Sequence, residues 1–544
     1  MGRVKYIFLD FDGPLNTGRN DYLDPDRYGH HFDNVAVTNL KRIIDRTGAF
    51  IVVSSSWRHL GIRRLKEIWK EWGLPSEVIG CTPGLWGDGR LFNTRGDEIK
   101  QWLEENASDD YSYVVIDDMD ESEALEEQKE NWIQVDPHCG ISYEDADTAI
   151  RTLNKFENSI KKKRRMKILL IIISALILCK VLWTLLAMRN IGSFQTEKKD
   201  IIRRKNYLIE NVIIPPQKLI DRMPSAIGTQ FQGEWALYSC SMLSASLVNI
   251  SYLYPETKED ALFEIDRLIG MVVSPELRRY DSMRWGEDPL ETLDGDESHI
   301  SYLSHLAWMI AGYKQIGGDT KYDNLYHSIC AAMNRRLLAS TGMNLQTYPG
   351  EYVYIPDMLV ALVALKLYSR QNGGQYESTV QKWLDNMKEK HLSESLGLIA
   401  SMVISDSDTA NCVTVKGSYT ALSCYYLTFI DEIFAKEQYQ KFKDSFLKKR
   451  PICGFKEYAH KSPFIAMDID AGPIVFGLSP TGTAFGIGPA SFFGDSTLRK
   501  RFLRTAEIAG VSVTWNDKTH YLLADLALVG EAITLAMRTA TPWK

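Results

Sequence analysis

Residues 4–16 read VKYIFLDFDGPLN, a mostly apolar run from Val4 to Leu9 that breaks into Asp10-Phe11-Asp12-Gly13-Pro14-Leu15-Asn16. The run predicts a buried strand, and the glycine and proline behind it predict a sharp turn. Asp10 and Asp12 stand at i and i+2 of an extended segment, so their carboxylates point the same way at the strand's carboxyl end. Open α/β sheets bind their ligands there. Two further apolar runs end alike. Phe50 to Val53 leads into Ser54-Ser55-Ser56-Trp57-Arg58, and Tyr113 to Ile116 leads into Asp117-Asp118. Between them a helix is expected over about Gly96 to Glu105, with Arg95 at its start and Lys100 inside it. Three strand tips thus carry oxygen-bearing side chains, with helical stretches between.

DFDG, a strand ending in serine, a basic residue opening a helix, and a strand ending in DD follow one another in that order. Together with VVSSSWR, RGDEIKQWL, VVIDD and VDPHCGIS they resemble the haloacid-dehalogenase-like (HAD) superfamily, in the subfamily of small domains associated with Swiss army knife RNA-repair proteins. The resemblance covers about residues 3–155 and implies a Rossmann-like α/β fold. It implies that Asp10 is the nucleophile forming an aspartyl-phosphate and that Asp12 is the general acid/base. Ser54, or Ser55 beside it, would hydrogen-bond the phosphoryl oxygens. Arg95, or Lys100, would neutralise phosphate charge. Asp117, with or without Asp118, would complete a Mg²⁺ site with Asp10 and the backbone carbonyl of Asp12. Carboxylates gathered this closely repel one another unless a cation joins them, which also implies a metal. No long insertion is available as a cap, although Gly80 to Phe92, with Trp86, is short enough to cover the site in part. A capless site favours a large phosphorylated substrate such as a nucleic-acid end or a phosphoprotein.

Charge is distributed unevenly along the 544 residues. The net charge is −7, yet residues 1–160 hold 18 Lys and Arg against 30 Asp and Glu, a balance of −12. An acidic domain lacks the cationic surface that broad nucleic-acid affinity needs. Lys161, Lys162, Lys163, Arg164, Arg165 and Lys167 then form a basic run, and Ile168 to Met188 reads ILLIIISALILCKVLWTLLAM, broken only by Lys180. Twenty-one helical residues at about 1.5 Å each span roughly the hydrocarbon core of a bilayer. Lys180 opposes insertion by about 2.5–3.5 kcal/mol, which the leucines and isoleucines offset. One transmembrane helix is expected, serving as a signal anchor. The six-residue cationic run directly before it, against Arg189 alone behind it until Lys198, Lys199 and the Arg203–Arg204–Lys205 cluster, is expected to place the N-terminus in the cytoplasm and the remainder outside. The expected organisation is therefore 1–158 HAD-like, 159–167 basic juxtamembrane run, 168–188 span, 189–224 linker and 225–544 a second domain. A mean hydropathy of −0.21 excludes a polytopic membrane protein. Eight cysteines are too few for a disulfide scaffold, and Cys240, Cys330, Cys412, Cys424 and Cys453 read as core thiols.

Beyond the span the pattern is helical. Ten segments, from Glu234–Ile250 to Leu522–Arg538, carry helical spacing without a fixed repeat. This predicts an all-α (α/α)₆ toroid with DPLETLDGDESHISYL, NLQTYPGEYVYIPD and AMDIDAGPIVFGLSPTGTAFGIGPASFFGD as rim loops. SHISYLSHLAWMIAGYKQIGGD, NLQTYPGEYVYIPDMLVALVAL and DIDAGPIVFGLSPTGTAFGIG resemble the linalool dehydratase/isomerase-like family over roughly 225–540. That resemblance implies acid/base chemistry in an apolar cavity, with no evident cofactor. Where the family carries active-site cysteines this chain has Tyr348 and Asp357, a departure from linalool chemistry itself. Asp294, Asp296, Glu297, His299, Tyr354, Asp357, Asp468 and Asp470 permit acid/base work. Asp357 equally suits a helix N-cap, and His299 a satisfied buried polar group; His299 and His305 do not share a helical face as a metal pair would.

Three functions are compatible with these residues. The first is a membrane-anchored protein pairing a cytosolic Mg²⁺-dependent phosphatase with an outer lyase or isomerase. The second is a receptor-like binding protein whose toroid captures a ligand beside a degenerate HAD module. The third places a carbohydrate-active toroid outside. The expected partners are a membrane, a phosphorylated substrate inside, and a small apolar or carbohydrate ligand outside.

Overall fold

A computed structural model describes residues 3–20, 32–84, 94–224, 230–404, 414–460, 463–522, 524 and 528–543. The chain divides into two compact units, Met1–Ala175 and Leu176–Lys544. Trp86 and Cys412 lie outside the described residues.

The first unit is a five-stranded parallel sheet. Its elements are β1 (Val4–Leu9), α1 (Asn34–Thr47), β2 (Phe50–Val53), α2 (Gly61–Glu71), β3 (Val78–Cys81), α3 (Arg95–Asn106), β4 (Tyr111–Asp117), β5 (Trp132–Gln134) and α4 (Tyr143–Ala187). The strand order is β3-β2-β1-β4-β5, with every neighbouring pair parallel. Side chains alternate across the pleat. Ile7, Leu9, Ile51, Val53, Val114 and Ile116 pack in one layer, and Tyr6, Phe8, Val52 and Val115 in the other. Both faces are covered, as parallel sheets require. Centrally placed β1 is flanked by β2 and β4, so the three tips converge. The Leu9 carbonyl accepts from Ser54 N at 2.9 Å, and Asp10 N donates to the Ile116 carbonyl at 3.0 Å. The short edge strands β3 and β5 add to the three strands expected from sequence.

α4 begins in the first unit and runs on through the apolar stretch into the second. Its side chains from Ile168 to Leu178 are exposed nearly throughout. Among the described residues two helical stretches are long and apolar enough to cross a membrane: Arg165–Asn190, 6% buried over its most apolar window, and Phe231–Leu253, 83% buried. The second is a core helix of its own unit.

The second unit is helical: α5 (Phe194–Val212), α6 (Pro216–Arg222), α7 (Gln230–Leu253), α8 (Lys258–Val273), α9 (Pro275–Trp285), α10 (Ile300–Gln315), α11 (Asp323–Ala339), α12 (Ile355–Gln371), α13 (Glu377–Lys390), α14 (Gly417–Ile430), α15 (Glu432–Phe446), α16 (Pro480–Phe492), α17 (Ser496–Gly510) and α18 (Leu528–Arg538). α7 packs on α10, α10 on α12, α12 on α14, α14 on α16, α16 on α18, and α18 back on α7. α8, α11, α13, α15 and α17 each lie against the helix preceding them in that series, and α5 lies against α7 and α18. The cyclic series is apolar all round: every residue from Ile300 to Tyr313 and from Ile355 to Leu365 is buried. Such helices need a second layer outside them, which the amphipathic α8, α13 and α17 supply.

Three expectations are corrected here. The stretch 189–224 is not a linker but carries α5 and α6. Within it Arg204 bonds Asp200 (3.1 Å), Glu507 (3.1 Å) and Glu531 (2.9 Å), all buried, while Glu197 receives Arg499 (2.7 Å) and Arg538 (2.8 Å). Second, the apolar segment from Tyr419 to Ala435 is two helices, because Asp431 interrupts it and caps α15 by accepting from Phe434 N. Third, the glycine-rich stretch expected as a rim loop contains the buried helix α16. Glycine has low helix propensity, but a Cβ on Gly486 would lie 2.5 Å from Phe455 and one on Gly488 2.5 Å from Met537. Close packing, rather than loop formation, accounts for these glycines. Cys240, Cys330, Cys424 and Cys453 are buried free thiols.

Candidate active site

The HAD-like residues meet at the carboxyl edge of the sheet. Asp10 is 6% exposed, and its Oδ1 accepts from Phe11 N at 2.7 Å. Oxygens of Asp10, Asp117 and Asp118 lie within 4.8 Å of one another. Gly13 permits this approach: it has φ +84°, and a Cβ there would fall 2.6 Å from the Asp118 Cβ. Left-handed backbone and lack of space both call for glycine.

Arg95, at the first position of α3, directs each of its nitrogens to a different carboxylate. Nη2 lies 3.2 Å from Asp10, Nε 3.3 Å from Asp117 and Nη1 3.5 Å from Glu98. Glu98, 1% exposed, is gripped on both oxygens by Arg58 at 2.8 Å each, and Arg58 also reaches Thr82 at 3.1 Å. Bidentate charge-assisted pairing of this kind fixes the orientation of both groups. Glu98 therefore steers the guanidinium of Arg95 onto the aspartates.

Asp12 is aimed differently from Asp10. Its Oδ1 accepts from Asn16 Nδ2 and its Oδ2 from Trp57 Nε1, both at 2.9 Å. Ser55 hydrogen-bonds Asp10 and caps the turn at Trp57 N. Ser54 is fully buried and its hydroxyl makes no hydrogen bond among the described residues. Lys100 is removed from the site: it is half exposed and faces Glu127 at 3.8 Å. Five residues along the helix, it lies on a different face from Arg95, so of the two it is Arg95 that faces the aspartates. Trp57, Arg58, Glu98 and Asn16 are the site residues that motif reading passed over; the SWR after the strand and the i,i+3 spacing of Arg95 and Glu98 were their only signals.

Burial raises the Asp10 carboxyl above its ordinary range, against the pull of Arg95 and a hydrogen bond from Ser55. Asp117 is pushed up to about 7, chiefly by burial and then by the Asp10 charge, with Arg95 opposing. Its Oδ2 is buried without a hydrogen bond among the described residues. Arg95 Nε meets that oxygen at 3.3 Å, and hard carboxylate oxygens that gather and repel one another form a donor set that suits Mg²⁺. The residues fit that cation.

In the second unit the candidates do not gather in one place. His299, fully buried, holds Asp281 at 2.5 Å through Nδ1 and Glu287 at 3.2 Å through Nε2, so it is engaged on both sides. Asp468 and Asp470 bind Lys416 at 3.1 and 2.5 Å, and Asp468 also accepts from Tyr458. Asp294, Asp296 and Glu297 are exposed, with Asp296 paired to Arg335. Asp357 is not an N-cap, since α12 begins before it. Its carboxylate instead accepts from Tyr238 OH at 3.0 Å and Thr347 Oγ1 at 2.8 Å. Burial pushes it up to about 6, and Glu234 nearby to about 7. The Tyr238 ring lies 4.3 Å from that of His305, tilted at 50°; burial drops that imidazole to about 3, and its Nε2 has no partner among the described residues. Tyr348 bonds Ser301 and lies beneath Arg284 at 3.5 Å, whereas Tyr354 stands edge-on to Tyr419. Glu234, Tyr238 and His305 sit inside apolar helical runs, where spacing gave no functional signal.

Residues 6–146 match the family described as HAD domain in Swiss Army Knife RNA repair proteins. With the parallel sheet and the acidic cluster at its carboxyl edge, the match supports a HAD domain of hydrolase type as the N-terminal part of this chain.

Proposed function

We propose that the N-terminal unit is a Mg²⁺-dependent phosphohydrolase, a reading carried by the convergence of Asp10, Asp117, Asp118 and Arg95. Asp10 attacks phosphorus; an O–P bond forms to its carboxylate as the ester P–O bond breaks. Asp12, oriented by Asn16 and Trp57, delivers a proton to the leaving oxygen and later takes one from the water that releases phosphate. Arg95 offsets charge on the phosphoryl oxygens, with the Ser54 hydroxyl as a further donor. Mg²⁺ held by Asp10, Asp117, Asp118 and the Asp12 carbonyl supplies electrostatic stabilisation of that charge. The substrate class is a phosphorylated molecule met in the cytoplasm. The test is hydrolysis of p-nitrophenyl phosphate by the full chain: Mg²⁺-dependent turnover is expected, and turnover unaffected by Asp10→Asn refutes the nucleophile assignment.

We read residues 168–188, at the C-terminal end of α4, as a single transmembrane span, supported by its exposed apolar surface, with the N-terminal unit cytoplasmic and the C-terminal unit outside. The cyclic packing of α7, α10, α12, α14, α16 and α18 supports an (α/α)₆ toroid resembling the linalool dehydratase/isomerase-like family. The Asp357–Tyr238 pair beside Glu234 supports acid/base lyase or isomerase chemistry on a small apolar or carbohydrate ligand. Product analysis with apolar alcohols and with oligosaccharides, on wild type and Asp357→Asn, tests this; turnover indifferent to Asp357→Asn refutes it.

A further inference from the structure

We propose that the C-terminal unit does not stand clear of the bilayer but enters its outer leaflet through the end of α17 and the adjoining hairpin Ser512–Trp515/Lys518–Tyr521; this rests on reading α4 as the span. The reason is a conflict of lengths. Lys180 Nζ donates to the Ile508 carbonyl at 3.0 Å, and Trp183 Nε1 donates to the Ser512 carbonyl at 2.7 Å. Thr184 is buried one position on. From Lys180 onward, therefore, one side of the helix lies against its own unit. Ile168 to Lys180 covers only about 18 Å, whereas the hydrocarbon core is about 30 Å thick. The missing length, about 12 Å, is that of the helix from Lys180 to Met188. The outward side chains there stay apolar and about half exposed: Val181 48%, Leu182 54%, Leu185 55% and Leu186 56%. For these residues to lie in hydrocarbon, the protein surface packed beside them must lie there too.

That surface is suited to lipid. Ile508 is 39% exposed at the contact with Lys180, and Leu522 is 60% exposed, its N–H bonded to the Gly510 and Val511 carbonyls. Trp515, 78% exposed at the hairpin turn, has the amphipathic ring favoured at membrane interfaces. Lys500 and Arg504, exposed two turns and one turn before Ile508 on the same face of α17, have the reach to place their charges among headgroups. Lys180, the one ionisable residue of the stretch, already has a carbonyl partner, which reduces the cost of burying it. Continuity with the apolar helix identifies the occupant as a lipid bilayer.

The experiment uses the full chain reconstituted in vesicles of phosphatidylethanolamine and phosphatidylglycerol, with a photoreactive benzophenone side chain introduced singly at positions 178, 508, 522, 433 and 263. Ile433 and Phe263 are exposed apolar controls, on α15 and α8. Mass spectrometry after irradiation is expected to find lipid adducts at 178, 508 and 522 in comparable yield, and none above background at 433 and 263. Adducts at 178 without adducts at 508 and 522 overturn the seating while leaving the span intact. No adduct at 178 overturns the span and the seating together. Adducts at all five positions overturn the assignment of this face.

Discussion

Stripping divalent cations from the acidic cluster should make the N-terminal unit lose stability as pH rises, with Asp117 responsible for much of the slope. Burial and the neighbouring Asp10 hold the Asp117 carboxyl at about 7, against an ordinary value of 3.8. Between those two values the folded protein keeps a proton that the unfolded chain has released. Stability is therefore greatest on the acid side, falls as pH climbs from about 4 toward 7, and levels off above. From pH 5 to pH 8 the loss is roughly 3 kcal/mol, at about 1.4 kcal/mol for each unit of separation. For a unit of this size that lowers the melting temperature by on the order of 10 °C. The assay is thermal unfolding of the full chain in a chelator across that pH range, following the transition that Mg²⁺ raises. Asp117→Asn should flatten this slope, and Mg²⁺ should reverse it in wild type by binding the deprotonated form. An identical slope in wild type and Asp117→Asn refutes the reasoning.

Three substitutions probe the surrounding geometry. Glu98→Gln leaves Arg58 without its buried counter-charge and takes one of three from Arg95, and should cost about 3–5 kcal/mol of unfolding free energy, with a raised KM for phosphate esters; unchanged values would show that Glu98 does not steer Arg95. Gly13→Ala forces a left-handed residue against Asp118 and should cost about 1–3 kcal/mol, with Mg²⁺ affinity measured by calorimetry falling in parallel. Arg95→Ala should lower kcat by about 10²–10³, whereas exposed Lys100→Ala should leave it within about twofold; the reverse ranking would restore Lys100 to the site.

Much of the N-terminal site was legible in the chain because its chemistry is attached to strand ends. An apolar run that must be buried has few ways to stop, and the residues directly after its last buried position land at a sheet edge. Asp10, Asp12, Ser54 and Asp117 could accordingly be placed from their spacing. Arg58 and Glu98 could not. They lie 40 positions apart, and only the packing of α3 against the β2 tip brings them together. Lys100 shows the same limit from the other side: its residue type suited the role, but its place on the helix cylinder points it to solvent. In the C-terminal unit most helices were read from their periodicity, but α5, α6 and α9 were not, and glycine masked α16. The contacts of Asp357 with Tyr238 and Thr347, and of Lys180 with Ile508, join segments that no local pattern relates.

By itself, then, the amino-acid order determined a parallel α/β unit with an acidic carboxyl edge, a long exposed apolar helix, and a helical unit beyond it. Each arises from local periodicity and the need to bury apolar runs, which act within one turn or one pleat. Tertiary structure alone decided which basic residue faces the aspartates, what holds Asp12 and Asp357 in place, and where α4 meets its own unit. Those are matters of which surfaces meet across the chain, and they depend on packing the whole molecule at once.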